Sequence, residues 1–96
     1  MTIREWVNDH ADELGLDLLL MDGYDDSIAG IVERQGAEPC VCYDRKKVLA
    51  KLMADGMSYE EALEFHEYNQ AGAYVGKHTP CFIDTPYSEE EETTNG

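Results

Sequence analysis

Apolar positions recur at helical spacing in three stretches of the chain and fall in short β-branched runs between them. Ile3, Trp6, Val7, His10 and Leu14 step by three and four, which is one face of a helix. Thr2 with Glu5 forms a capping-box pair ahead of it, and Gly15 stands where such a helix stops. A second series, Val48, Leu49, Leu52 and Met53, follows Asp44 as N-cap and closes at Asp55 and Gly56. The third opens with another capping box, Ser58 and Glu61, and runs from about Tyr59 to about Ala71 before Gly72. Its helical projection puts Tyr59, Ala62, Leu63, His66, Asn69 and Ala73 on one side, with Phe65 flanking, and Glu60, Glu61, Glu64 and Glu67 on the other.

Ile28 to Glu33 is rich in β-branched residues and ends in a Gly-containing polar loop, the signature of a strand. Cys40 to Tyr43 is a second short strand, so Gln35 to Pro39 is a hairpin or tight crossover, and Thr79 to Ile83 reads as a closing strand. Leu16 to Met21 is apolar apart from Asp17 and fits either a strand or the last turn of a longer first helix. The second and third helices are joined by a short loop, hence an αα-hairpin. Together these elements predict an α+β fold in which an N-terminal helix and an αα-hairpin pack on a sheet of about three strands. Residues 1–86 form a single compact domain, and 87–96 a disordered acidic tail.

Charge changes this picture most. Acidic residues number 21 against 7 basic ones, a formal −14, and removing the four tail glutamates 89–92 still leaves −10. A surface of that sign disfavours direct binding to nucleic acid or anionic membrane and favours a basic protein surface or groove. No apolar run approaches the ~20 residues of a membrane span, and MTIREWVNDHADE lacks the pattern of a signal peptide. Three cysteines, Cys40, Cys42 and Cys81, cannot all pair within one chain, so a reduced cytoplasmic protein with free thiols is expected. The αα-hairpin resembles a helix-turn-helix only superficially, because phosphates would repel a recognition helix bearing four glutamates.

Several groupings invite a chemical reading. Asp22, Asp25 and Asp26 gather three carboxylates beside Gly23, a set hard cations favour, although the spacing is not that of an EF-hand and a turn explains it more simply. A small metal- or metabolite-binding protein built on this cluster is the alternative function. Cys40 and Cys42 fall on one face of a strand and, with Cys81 and His78, would complete a Cys₃His set. Core or surface thiols are the simpler reading, because zinc knuckles favour wider cysteine spacing. Cys81, His66 and Asn69 are parts of a nucleophilic site only if they meet in space; otherwise His66 and Asn69 are a satisfied polar pair that fixes how the third helix docks. His10 near its helix C-terminus suits the helix dipole. Arg45, Lys46, Lys47 and Lys51 crowd one helix, with bases in a first turn where the dipole disfavours them, so acidic neighbours are expected to pair with them. No catalytic constellation, metal or cofactor is predicted.

The carboxylate comb is the sharper signal. Glu60 to Glu67 spans about 10 Å, roughly one charge per 3 Å, and a DNA strand carries one per ~3.4 Å along the duplex axis. Glu5, Asp9 and Asp12 give the first helix a second acidic side. The segments DGYDDSIAGIVERQG, CYDRKKVLAKL, GMSYEEALEFHEYN and GAYVGKHTP resemble those of a set of small bacteriophage-encoded proteins, over roughly residues 20–84. The resemblance implies an origin, not an activity, and makes small acidic blockers of host defence nucleases a relevant class. The expectation is thus a non-enzymatic acidic protein acting in the host cytoplasm as an inhibitor or modulator of a host protein, in the manner of a nucleic-acid mimic. Glu60, Glu61, Glu64, Glu67, Glu5, Asp9, Asp12, Asp22, Asp25 and Asp26 are its candidate binding residues. A homo-oligomer packed through Trp6 and the tyrosines is a third reading.

Overall fold

A computed structural model of the chain describes residues 1–72 and 76–86. The acidic tail, and Ala73 and Tyr74 of the third helical stretch, lie outside the described residues. The fold is α+β: α1 (Ile3–Leu14), a short 3₁₀ turn (Asp25–Ser27), β1 (Ile28–Arg34), β2 (Ala37–Asp44), α2 (Arg45–Ala54), α3 (Tyr59–His66) and β3 (Cys81–Ile83). The sheet order is β1-β2-β3, with β1 antiparallel and β3 parallel to β2. The parallel pairing follows from the αα-hairpin, which carries the chain back across the sheet between β2 and β3.

The caps form as the side chains dictate. Thr2 Oγ1 accepts from the Glu5 N–H at 3.1 Å, and the Glu5 carboxylate accepts in return from the Thr2 N–H at 3.4 Å. Gly15, at φ 70°, closes α1 with N–H bonds back into its last turn, a backbone conformation that favours glycine. Asp44 Oδ1 caps α2 through the Lys46 N–H at 3.0 Å. The β1–β2 connection is tighter than expected. Arg34 pairs with Ala37 around Gln35 and Gly36 alone, and Gly36 at φ 83° permits the reversal, so β2 starts before Cys40.

Val7, Val41, Tyr43, Val48, Leu49, Leu52 and Ala62 form one buried cluster. All three helices therefore lie on the face of the sheet that carries Val41 and Tyr43. The buried stripes are narrower than the spacing suggests. In α1 only Val7 and Ala11 are fully buried, while Ile3, Trp6 and Leu14 stay partly exposed at the edges. Met53 of α2 is also exposed, at the edge of the stripe that Leu49 and Leu52 bury. His10 does not serve the helix end alone: Trp6 stacks on it at 5.7 Å and Glu33 reaches its Nε2 at 3.4 Å.

Leu16–Met21 is neither strand nor helix extension. Gly15 stops α1, and the segment enters no strand pairing among the described residues and runs against the core as irregular chain. Leu18, Leu20 and Met21 pack against the cluster, and the Met21 N–H donates to the buried Tyr43 hydroxyl at 2.7 Å. That bond satisfies a phenol with no access to water, and burial pushes the Tyr43 hydroxyl above its ordinary pKa.

Candidate functional site

α3 presents the acidic comb as predicted, but its opposite face is not what the projection suggests. Ala62 and His66 are fully buried and Leu63 is half-buried. Tyr59 and Asn69, placed by spacing on the packed side, are exposed. For Asn69 the reason lies after His66, where Glu67–Ala71 winds as a π-helix closed by the Gly72 N–H on the Glu67 carbonyl at 3.1 Å. The wider turn brings the fourth residue after His66, not the third, back beneath it. Gln70 Oε1 thus meets His66 Nδ1 at 2.8 Å, while Asn69 turns outward and donates to the Phe65 carbonyl. Gly72 enables this closure, since a Cβ there would lie 2.9 Å from the Glu67 carbonyl oxygen.

His66 is the strut of the αα-hairpin. Arg45 Nε donates to His66 Nε2 at 3.2 Å, and the Arg45 Nη1 bridges both oxygens of Asp84 at 2.8 and 2.7 Å. A guanidinium only donates, so Nε2 must be the accepting nitrogen and Nδ1 carries the proton that Gln70 receives. The ring also stands edge-on to Phe82 at 4.6 Å. One imidazole therefore ties α3, α2 and the end of β3 together. Neither of its nitrogens is left for catalysis, and Cys81 alternates to the other face of the sheet from Phe82. Cys81, His66 and Asn69 do not assemble into a nucleophilic site. Arg45 and Asp84 were not anticipated as partners of His66; the base at the disfavoured end of α2 was their one trace in the sequence. Lys51 also finds an acidic neighbour, Asp55, at 3.9 Å.

The predicted binding carboxylates separate into committed and free groups. Glu61 accepts the Ser58 N–H at 2.9 Å, which holds its carboxyl below the usual range, and Glu5 is used in the same way by Thr2. Asp25 takes both bonds from the Arg4 guanidinium at 2.8 Å and is likewise held low. Asp22 is exposed, and Asp26 lines a different cleft with Tyr24, Lys47 and Lys51. The Asp22, Asp25 and Asp26 cluster is thus split by its surroundings. Among the described residues no three His, Cys, Asp or Glu side chains are placed to hold a metal ion. His78, the fourth member of the thiol set, donates from Nδ1 to the Pro39 carbonyl at 2.7 Å.

Glu60, Glu64 and Glu67 are exposed, and among the described residues none of them enters an ion pair. Two aromatic side chains stand beside them, Phe65 at 37% and Tyr68 at 78% exposed, while Tyr59, 55% exposed, lies at the start of the helix on its other side. Met57, Glu61, Glu64, Phe65, Tyr68 and Asn69 enclose an open groove of about 450 Å³ along this face. Asp9 and Asp12 are exposed on α1, which packs on β1 and the 3₁₀ turn, whereas α3 packs on α2. No helix among the described residues is long and apolar enough to cross a membrane. Comparison with known protein families, curated proteins and solved structures finds no match.

Proposed function

We propose that the protein is a non-catalytic, phage-encoded acidic binder that lays the outer face of α3 on a basic surface of a host protein and inhibits or modulates it. The supporting observation is the composition of that face: Glu60, Glu64 and Glu67 enter no ion pair among the described residues and stand beside exposed Phe65 and Tyr68. A face kept only for solubility carries charge without large exposed rings, and rings dominate protein interfaces. A lysine or arginine entering the groove meets the Phe65 and Tyr68 rings and the Glu64 carboxylate together, combining cation–π attraction with an ion pair. Such side chains line nucleic-acid-binding grooves, so the comb competes for those grooves by imitating a phosphate row. Asp9 and Asp12 on α1 add long-range attraction. The site of action is the cytoplasm of the host cell.

Affinity capture from host cytoplasm at low salt, followed by titration of the captured protein against increasing salt, tests this reading. The expected result is a basic, nucleic-acid-binding partner whose dissociation constant rises steeply with ionic strength and whose nucleic acid is displaced. Binding that is indifferent to salt, or a partner without a basic surface, would count against it.

A further inference from the structure

The face of the sheet opposite the helices gathers all three cysteines. Val41 and Tyr43 point into the core, so Cys40 and Cys42 share the other face of β2. Phe82 packs on Tyr43 and His66, so Cys81 falls on that same outer face of β3. Cys42 and Cys81 are register partners across the β2–β3 pairing, and the Cys81 thiol interacts with both Cys40 and Cys42. Adjacent strands lie about 4.8 Å apart, within the Cα separation a disulfide spans. Cys40 sits two residues back along β2, about 6.6 Å, which makes the diagonal to Cys81 roughly 8 Å and too long to bridge without moving backbone.

We propose that Cys42 and Cys81 are a redox-active dithiol that forms an intramolecular disulfide stapling β3 to β2, while Cys40 beside them stays reduced. The oxidant is a small-molecule disulfide such as oxidised glutathione. The Cys81 thiolate attacks one glutathione sulfur, breaking that disulfide and expelling one glutathione thiolate. The Cys42 thiolate then attacks the Cys81 sulfur, expelling the second. Two protein thiols and one glutathione disulfide become one protein disulfide and two molecules of glutathione, so electrons and protons balance. Cys81 is the entry point because it is half-buried while Cys42 is only 6% exposed. Burial raises the Cys81 thiol above its ordinary pKa, so the exchange accelerates as pH rises.

The consequence is mechanical. β3 has three residues, and its end carries Asp84, which holds Arg45 and through it His66. A bond at Cys81 fixes the strand that anchors the αα-hairpin.

The test equilibrates the full-length reduced protein in glutathione redox buffers, quenches with acid, alkylates free thiols and maps the peptides by mass spectrometry. The expected product is a monomer with a Cys42–Cys81 bond and an alkyl tag on Cys40 alone. Three tagged cysteines at every ratio, glutathione retained on Cys81, covalent dimers, or a bond containing Cys40 would each overturn the proposal. The Cys40→Ser variant should oxidise to the same product as the parent, and Cys42→Ser should form no internal disulfide. An internal bond in Cys42→Ser, or its loss in a folded Cys40→Ser, would overturn the proposal as well.

Discussion

Replacing His66 with phenylalanine removes the hydrogen-bonding of the strut while keeping a ring of similar size beside Phe82. The ring is fully buried, so no water replaces what is lost. Arg45 Nε loses its acceptor and Gln70 Oε1 loses its donor. A hydrogen bond to a charged group contributes about 1.5–3 kcal/mol and a neutral one about 0.5–1.5. The edge contact with Phe82 survives, and Arg45 retains Asp84 at the half-exposed end of its guanidinium. A loss of about 2–4 kcal/mol is therefore expected, a large share of the roughly 5–10 kcal/mol available to a domain of this size. Urea unfolding followed by far-ultraviolet circular dichroism measures it. Crossing His66→Phe with Arg45→Met supplies the internal control, since two groups that act through each other should couple by about 1–2 kcal/mol. A loss under about 0.5 kcal/mol, or additivity within about 0.3 kcal/mol, would refute the strut.

Other consequences are open to direct measurement. Gly72→Ala places a methyl group against the Glu67 carbonyl oxygen; closing the π turn over it costs about 1–3 kcal/mol, read as a lower urea midpoint and faster exchange of the residue 72 amide that closes the turn. Asp25 is held below its ordinary value of 3.8 by Arg4, so its contribution to stability is present above that pH and disappears as pH falls through the lower folded value. Asp25→Asn should thus lower the urea midpoint near neutrality and flatten its acid limb below about pH 4; an unchanged limb would remove the ion pair from the account. Oxidation closing the loop between Cys42 and Cys81 should stabilise the protein by up to about 4 kcal/mol on chain-entropy grounds, seen as a higher midpoint that dithiothreitol reverses.

Much of the fold was legible because local signals agreed with the global one. Thr2, Asp44 and Ser58 fixed where helices begin, Gly15 and Gly56 fixed where two of them end, and the β-branched run from Ile28 located the hairpin. What escaped depends on tertiary context. Leu16–Met21 has the composition of a regular element, but its position is set by Tyr43 on a strand twenty-two residues away. The projection of the third helix assumed one turn length throughout, and the π closure at Gly72 exchanged the roles of Asn69 and Gln70. The comb was visible as four glutamates; that Glu61 is consumed by the cap follows from the same Ser58 signature that located the helix. The Asp22, Asp25 and Asp26 cluster shows the converse, since proximity in sequence said nothing of Arg4, which takes the middle carboxylate.

The central claim is that a particular face binds, and not merely a particular charge. Glu60, Glu64 and Glu67 changed together to lysine, and Asp9, Asp12 and Glu13 changed together to lysine, shift net charge by the same amount on different helices. Isothermal titration of both variants and the parent against the captured host protein separates the two ideas. The α3 variant should bind more weakly by about 1–4 kcal/mol, roughly 5- to 1,000-fold, and the α1 variant by far less. Equal losses, or an α3 variant that binds like the parent, would contradict it.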